Sequence, residues 1–240
     1  ADIITASAGT SNFRAGVNAG NTIESGGNYN VVVGDEAGTA ITTGDNNVAV
    51  GYAALDATTT SADNTAVGYA SLGANITGAA NTAVGSLTLD ANTTGSHNTA
   101  LGYGAMSATT TGSFSTAVGR DALGAHTTGA DNTAVGYACM QDITTGTNNV
   151  AMGTTALANL TTTAGNTAIG KSALTSSVTG SYNTALGYLS LTACLDGGNN
   201  IAVGHNALTA NTSGGNNVAL GTNALLANTS ATGNIAVGYN

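Results

Sequence analysis

A glycine returns every 17 residues without one insertion or deletion: Gly34, Gly51, Gly68, Gly85, Gly102, Gly119, Gly136, Gly153, Gly170, Gly187, Gly204, Gly221 and Gly238. Each closes a copy of one motif, seen plainly as Asn132-Thr133-Ala134-Val135-Gly136. Seventeen residues cannot enclose a core of their own. A period this short and strict therefore predicts a solenoid, in which each coil buries its apolar side chains only against its neighbours.

The thirteen copies can be compared position by position. The residue before the glycine is always apolar, from Val33 to Val237, and three before it stands Thr, Val or Ile. Two apart and β-branched or aliphatic, these positions share one face of a short strand. That face is expected to fill the coil. Between them lies an alanine in every copy but Val32, and four before the glycine lies Asn in every copy but Ser115. After the glycine comes a free position (Asp35, Tyr52, Ser86, Arg120, Lys171, His205), expected in solvent, and the fourth residue after it is Leu or Met from Leu55 to Leu225. A second strand is expected toward Thr-Thr-Gly, as in Thr93-Thr94-Gly95. Its first position is sometimes Ile76, Val178 or Leu195, so it is expected to face inward. The apolar positions alternate at period two, which excludes helix.

The fold class predicted is all-β: a parallel β-solenoid with a strict 17-residue coil. Residues 1–30 read as a degenerate N-terminal cap, and 31–240 as an array of about twelve coils that is expected to continue past Asn240. At one coil per inter-strand distance, the intervals from Gly34 to Gly238 would span roughly 58 Å, a thin rod.

Composition agrees. Charged residues are only 6% but hydrophobic ones 42%, so a core is available. Proline is absent, as expected where nearly every backbone N–H donates to a ladder. The net charge of −9, with only Arg14, Arg120 and Lys171 as cations, argues against nucleic acid and anionic membranes. No apolar run approaches the ~20 residues of a membrane helix. Cys139 and Cys194 fall at different coil positions and read as buried small hydrophobes rather than a disulfide.

Stacking places like residues above one another. The asparagines (Asn64, Asn81, Asn98, Asn132, Asn149) would bond amide to amide and satisfy turn backbone. The glycines (Gly68, Gly85, Gly102, Gly136, Gly153) would supply positive φ or close approach. A hydroxyl ladder runs from Thr43 to Thr179 and on through Ser213 and Ser230, capping the adjacent turns or ordering water as an ice-binding face does. The parallel file such a face needs two residues away is irregular: Ile41, Thr58, Asn75, Asn92, Thr109, His126, Ile143, Leu160. Tyr52, Tyr69, Tyr103, Tyr137 and Tyr188 form a broken outward file suited to a sugar or a partner chain. The alanines (Ala66, Ala83, Ala100, Ala117, Ala134, Ala151) are expected to point away from the coil interior. Their constancy would then mark a subunit interface.

No catalytic, metal or cofactor constellation is read. His97, His126 and His205 occupy three different coil positions, and no carboxylates pair on adjacent coils. The sequons at Asn75, Asn92, Asn159, Asn211 and Asn228 follow from the Asn-Thr composition of the repeat.

The coil NTAVGYAAL…ANTTG…N resembles repeats of long phage tail fibres and related bacterial surface fibres. Val48-Ala49-Val50-Gly51 is similar to the head repeats of trimeric autotransporter adhesins. The likeness covers about residues 30–240. It implies a left-handed β-roll with three chains side by side, in an adhesive, non-enzymatic extracellular fibre on a virion or cell surface. The partners implied are other copies of the chain and a host-surface glycan or receptor. The 17-residue period is longer than the adhesin head coil. Two alternatives stand beside this reading: a subunit of a homopolymeric filament, and an ice-binding solenoid using the Thr ladder.

Overall fold

The computed structural model describes residues 3–4, 8–176 and 179–240. It is a parallel β-solenoid with 17-residue coils, divided into two compact units, Ala1–Arg120 and Asp121–Asn240. The first unit holds β1 (Ile3–Ile4), β2 (Phe13–Ala15), β3 (Val31–Val33), β4 (Val48–Val50), β5 (Thr65–Val67), β6 (Thr82–Val84), β7 (Thr99–Leu101) and β8 (Thr116–Val118). The second holds β9 (Thr133–Val135), β10 (Val150–Met152), β11 (Thr167–Ile169), β12 (Thr184–Leu186), β13 (Ile201–Val203), β14 (Val218–Leu220) and β15 (Ile235–Val237).

Within each unit, strands consecutive in sequence are neighbours in the sheet. They pair in parallel with identical positions facing: Thr65 opposite Thr82, Ala66 opposite Ala83, Val67 opposite Val84. The exception is β1, which runs antiparallel to β2 and pairs Ile4 with Arg14.

Among the described residues, each 17-residue coil contains one strand of three residues, not two strands. The reason lies in the backbone after the motif glycine. Positive φ recurs at alternate residues, as at Gly51 (φ 134), Ala53 (φ 51) and Leu55 (φ 56), which winds the chain too tightly for a strand. The Thr-Thr-Gly segment is likewise a turn. The N–H groups of Thr93 and Thr94 both donate to the carbonyl of Thr110, at 2.9 and 3.2 Å, so no ladder advances along it.

The strand faces are the reverse of the sequence expectation. The alanines from Ala49 to Ala219 point into the coil and are essentially fully buried, whereas Val67, Val135, Leu101 and Met152 point outward. The interior is thin: Ser71, opposite the sheet, donates its hydroxyl directly to the carbonyl of Ala83 at 3.0 Å. Only a methyl fits between walls that close. The inner space is filled by the leucine file (Leu55, Leu72, Leu89, Met106, Leu123, Met140), by the small residue before each, and by the file running from Ile41 to Leu160.

Two coils test this packing within the sequence itself. Where Val32 replaces the alanine, Gly38 replaces the leucine, and a Cβ added to Gly38 would lie 3.1 Å from Val32 Cγ1. Where Arg14 replaces it, Gly20 stands at the leucine position, and its Cβ would lie 3.4 Å from Arg14 Nε. A larger residue on the sheet is matched by a missing side chain opposite, conserving volume.

Candidate interaction surface

The ladders form as expected for asparagine. Asn64 is representative: its N–H donates to Asn47 Oδ1 (3.0 Å), its Nδ2 to the carbonyl of Gly78 (3.0 Å), and its Oδ1 accepts from the N–H of Asn81 (3.0 Å). Each asparagine thus joins its own coil to the coils before and after it. Asn81, Asn98, Asn132 and Asn149 donate in the same way to Gly95, Gly112, Gly146 and Thr163. The asparagines are buried, and their polar atoms are occupied within the chain. The motif glycines stack without space for a side chain: a Cβ on Gly136 (φ 139) would lie 2.6 Å from the carbonyl oxygen of Gly153.

Two expectations about faces change. Ala66, Ala83, Ala100, Ala117, Ala134 and Ala151 are closed inside their own coils, so they do not line a subunit interface. Ile76 and Leu195, expected inside, are each 47% exposed, because the residue before the ladder Thr turns outward; Val178 lies outside the described residues. The file of Thr58, Asn75, Asn92 and His126 is fully buried and is not a second outward row.

The outward neighbour of the hydroxyl ladder is the threonine one residue earlier. Thr42, Thr93, Thr127, Thr144 and Thr212 donate their hydroxyls to the carbonyl of the next coil at 2.9–3.1 Å. These bonds fix the rotamers. The ladder threonines Thr43, Thr60, Thr77, Thr94 and Thr111 are exposed, and among the described residues their hydroxyls make no bond that would cap a turn.

The tyrosines are outward, as expected, about half exposed. Tyr52 and Tyr69 stack at 5.6 Å, Tyr188 stacks on His205 at 5.5 Å, and Arg120 lies over Tyr103 at 5.7 Å. Rings stacked coil on coil turn their faces toward each other and their edges to solvent. Sugar rings dock on faces, so these pairs suit edge contacts better.

The histidines do not come together. His97 stacks on Phe114, His205 lies on the tyrosine file, and His126 is buried, where desolvation lowers its pKa to about 4 and keeps it neutral. Both cysteines are free and buried, and burial raises Cys139 to about 12 and Cys194 to about 11. Such thiols are poor nucleophiles at neutral pH. Among the described residues no His, Cys, Asp and Glu side chains gather as a metal site. The sequons of Asn75, Asn92 and Asn211 are fully buried, while Asn159 is exposed.

What the structure leaves outward on the sheet is a stripe the sequence reading had placed inside. It comprises the Thr, Val or Ile that opens each strand and the Val, Leu, Ile or Met that closes it. Leu101, Val150, Met152, Leu186 and Ile201 are each more than 40% exposed. The signal available in the sequence was the constancy of alanine, which marks a tight interior as readily as an interface. Comparison of the chain with protein-family models, with curated proteins and with solved structures gives no match.

Proposed function

We propose that this chain is a non-enzymatic structural segment of an extracellular fibre, of the kind carried by phage tail fibres or bacterial surface adhesins. The observation that carries the reading is the division of labour within each coil. The inward alanine, asparagine and leucine files repeat nearly unchanged and are occupied by coil-to-coil packing and hydrogen bonds, while the residue after the glycine varies freely through Asp35, Tyr52, Arg120, Lys171 and His205, all exposed. A scaffold that holds its interior constant and varies its outer row is suited to displaying a surface. The proposed partners are other copies of the chain, three in the arrangement the resemblance implies, and a host-surface glycan or receptor. Immunogold electron microscopy of native material tests this: label along fibres outside the cell or on virions is the expected result. Label confined to the cell interior would overturn it.

One observation favours a second reading, ice binding. The two adjacent threonine files both face outward, one with its rotamers fixed by coil-to-coil bonds. Thermal hysteresis of the purified chain decides it.

A further inference from the structure

We infer that Asn159 is the acceptor of an N-linked glycan, and that the fold withholds the chain's other sequons from the same modification. The inference rests on the extracellular reading above, because such sugars are added to exported chains. Five Asn-x-Thr/Ser triplets occur, at Asn75, Asn92, Asn159, Asn211 and Asn228. Four of these asparagines are the seventh residue after a motif glycine, a position where the repeat often carries Asn. Asn159 is the sixth residue after Gly153. Alanine holds that position in most coils, as at Ala40, Ala57, Ala74 and Ala91, so the repeat does not account for Asn159.

The fold separates the two kinds. The four in register have their amide nitrogens committed: Asn75 Nδ2 donates to the carbonyl of Gly78 (2.9 Å), Asn92 to Gly95 (3.0 Å), Asn211 to Gly214 (2.9 Å) and Asn228 to Ala231 (3.1 Å). Asn75, Asn92 and Asn211 are also fully buried. A sugar on any of these would break a bond to a turn carbonyl, and on the buried ones it would force the coil open. Asn159 lies on a turn and is exposed. Its backbone N–H donates to the carbonyl of Thr175 at 3.1 Å, which fixes the residue to the next coil. Among the described residues its side-chain amide makes no hydrogen bond. Leu160 is fully buried and anchors the triplet from its middle, leaving Asn159 exposed and Thr161 half-buried on either side. The same position carries Asp142 one coil before and Ser176 one coil after, both small and polar.

The sugar donor is a polyprenyl-diphosphate-linked oligosaccharide, used by a transferring enzyme that requires the hydroxyl of the third residue, here Thr161. Asn159 Nδ2 forms a bond to the anomeric carbon. The bond from that carbon to the diphosphate oxygen breaks, and the diphosphate leaves with the electron pair. Nδ2 gives up one proton, and the amide carbonyl is unchanged. The product sets a bulky, solubilising group on the outside of the second unit.

Mass spectrometry of intact glycopeptides from the native chain tests this. A sugar mass on Asn159, with Asn75, Asn92, Asn211 and Asn228 bare, is the expected result. In chains expressed in the native source, Thr161→Ala should abolish the modification although the asparagine remains, and Thr161→Ser should keep it. Circular dichroism checks folding. If Thr161→Ala fails to fold, Asn159→Gln replaces it, keeping the hydroxyl and removing the acceptor. A bare Asn159 in native material, a sugar on any of the other four sequons, or a sugar that survives Thr161→Ala would overturn the proposal. The fibre reading fails by a different measurement: immunogold label outside the cell with a bare Asn159 removes the glycan and leaves the fibre standing.

Discussion

The two units carry different residues in one buried file, the seventh residue after the motif glycine. In the first unit it reads Ile41, Thr58, Asn75, Asn92, Thr109, and in the second His126, Ile143, Leu160, then Cys194 and Asn211. A fully buried position that accepts amide, imidazole, thiol and aliphatic groups contrasts with the asparagine file beside it, which hardly changes. The hydrogen bonds explain this. Where the residue is Asn or Cys, its side chain donates to the carbonyl three residues on: Asn75 to Gly78 (2.9 Å), Asn92 to Gly95 (3.0 Å), Cys194 to Gly197 (3.2 Å), Asn211 to Gly214 (2.9 Å), whereas Thr58 donates to the carbonyl of Asn75 in the next coil (2.9 Å). The carbonyl three residues on already accepts from the asparagine of the preceding coil, at 2.8–3.0 Å. The second donor is optional and the first is not. Carbonyls have two lone pairs, but one bond removes most of the penalty of burial.

The largest expected effect separates these two roles. Asn149→Leu removes the donor to Thr163, where Leu160 offers no second bond, and the acceptor of the Asn166 N–H. Two buried backbone groups are left unpaired, so the loss should be about 4 kcal/mol. Asn64→Leu in the first unit orphans the Asn81 N–H, but Gly78 keeps Asn75 as a donor. Its loss should be smaller by about 1–2 kcal/mol. Urea unfolding followed by hydrogen exchange in each unit measures both. Equal losses would remove the distinction between obligatory and optional donors.

Acid should sharpen the contrast between units. Burial depresses the folded pKa of His126 from 6.5 to about 4. The unfolded chain therefore binds a proton between those values that the folded chain does not. Stability is full above about pH 6.5 and falls as pH drops toward 4, by up to about 3 kcal/mol. In the first unit Asp56 and Asp90 are shifted upward, chiefly by burial, so acid relieves their charge and acts in the opposite direction. Protection factors from hydrogen exchange, corrected for the intrinsic pH dependence of the exchange rate, should fall from pH 7 to pH 4.5 around residues 121–143 and not around 47–92. His126→Asn, the first unit's occupant, should abolish the acid response. If the variant retains it, another group is responsible.

Packing offers a third comparison, with the first unit as template. Ala134→Val in the second unit should lose about 2 kcal/mol by overfilling the thin interior. Met140→Gly alone should lose more, through a cavity, although glycine suits the positive φ of 52 at that position. Combined, the pair reproduces Val32 with Gly38, and the double variant should lose about 1–2 kcal/mol less than the sum. Strict additivity in a double-mutant cycle would show that the two residues do not share space.

These cases also show how much was legible in the chain. The repeat and its parallel stacking were readable, because a fixed period admits few alternatives and Asn four before Gly recurs at a turn. The direction of the strand was not. Val-Ala-Val alternates equally well with valine inside or outside, and large residues inside is the usual rule. Here the walls are too close for it, and that distance is set by the turn after the glycine. The deciding clue was the pairing of Val32 with Gly38 and of Arg14 with Gly20, six residues apart across the coil. Positive φ at leucine could not be read at all, since Leu55 and its equivalents are not residue types that announce a left-handed turn. The outward stripe was hidden by the same inversion.

The smallest expected effect is the most direct test of the optional donor. In the first unit Asn75 and Asn92 form a buried amide line: Asn75 Nδ2 donates to Thr58 Oγ1 at 3.1 Å, and Asn92 Nδ2 to Asn75 Oδ1 at 2.9 Å. The line ends on Asn92 Oδ1, which is buried without a partner. Asn92→Leu removes that oxygen but orphans Asn75 Oδ1 in its place, so stability should scarcely move. Asn75→Ile with Asn92→Leu removes both amides and reproduces Ile143 over Leu160, which the second unit buries at consecutive coils. Gly78 and Gly95 keep their bonds from Asn64 and Asn81, and Thr58 still donates to the carbonyl of residue 75. Apolar surface replaces two amides and one unpaired oxygen. The double variant should match the wild type or exceed it by about 1 kcal/mol. A loss above about 2 kcal/mol would mean that the first unit's amides are as necessary as the asparagine file, and that its polar interior is held for a reason other than the turn carbonyl.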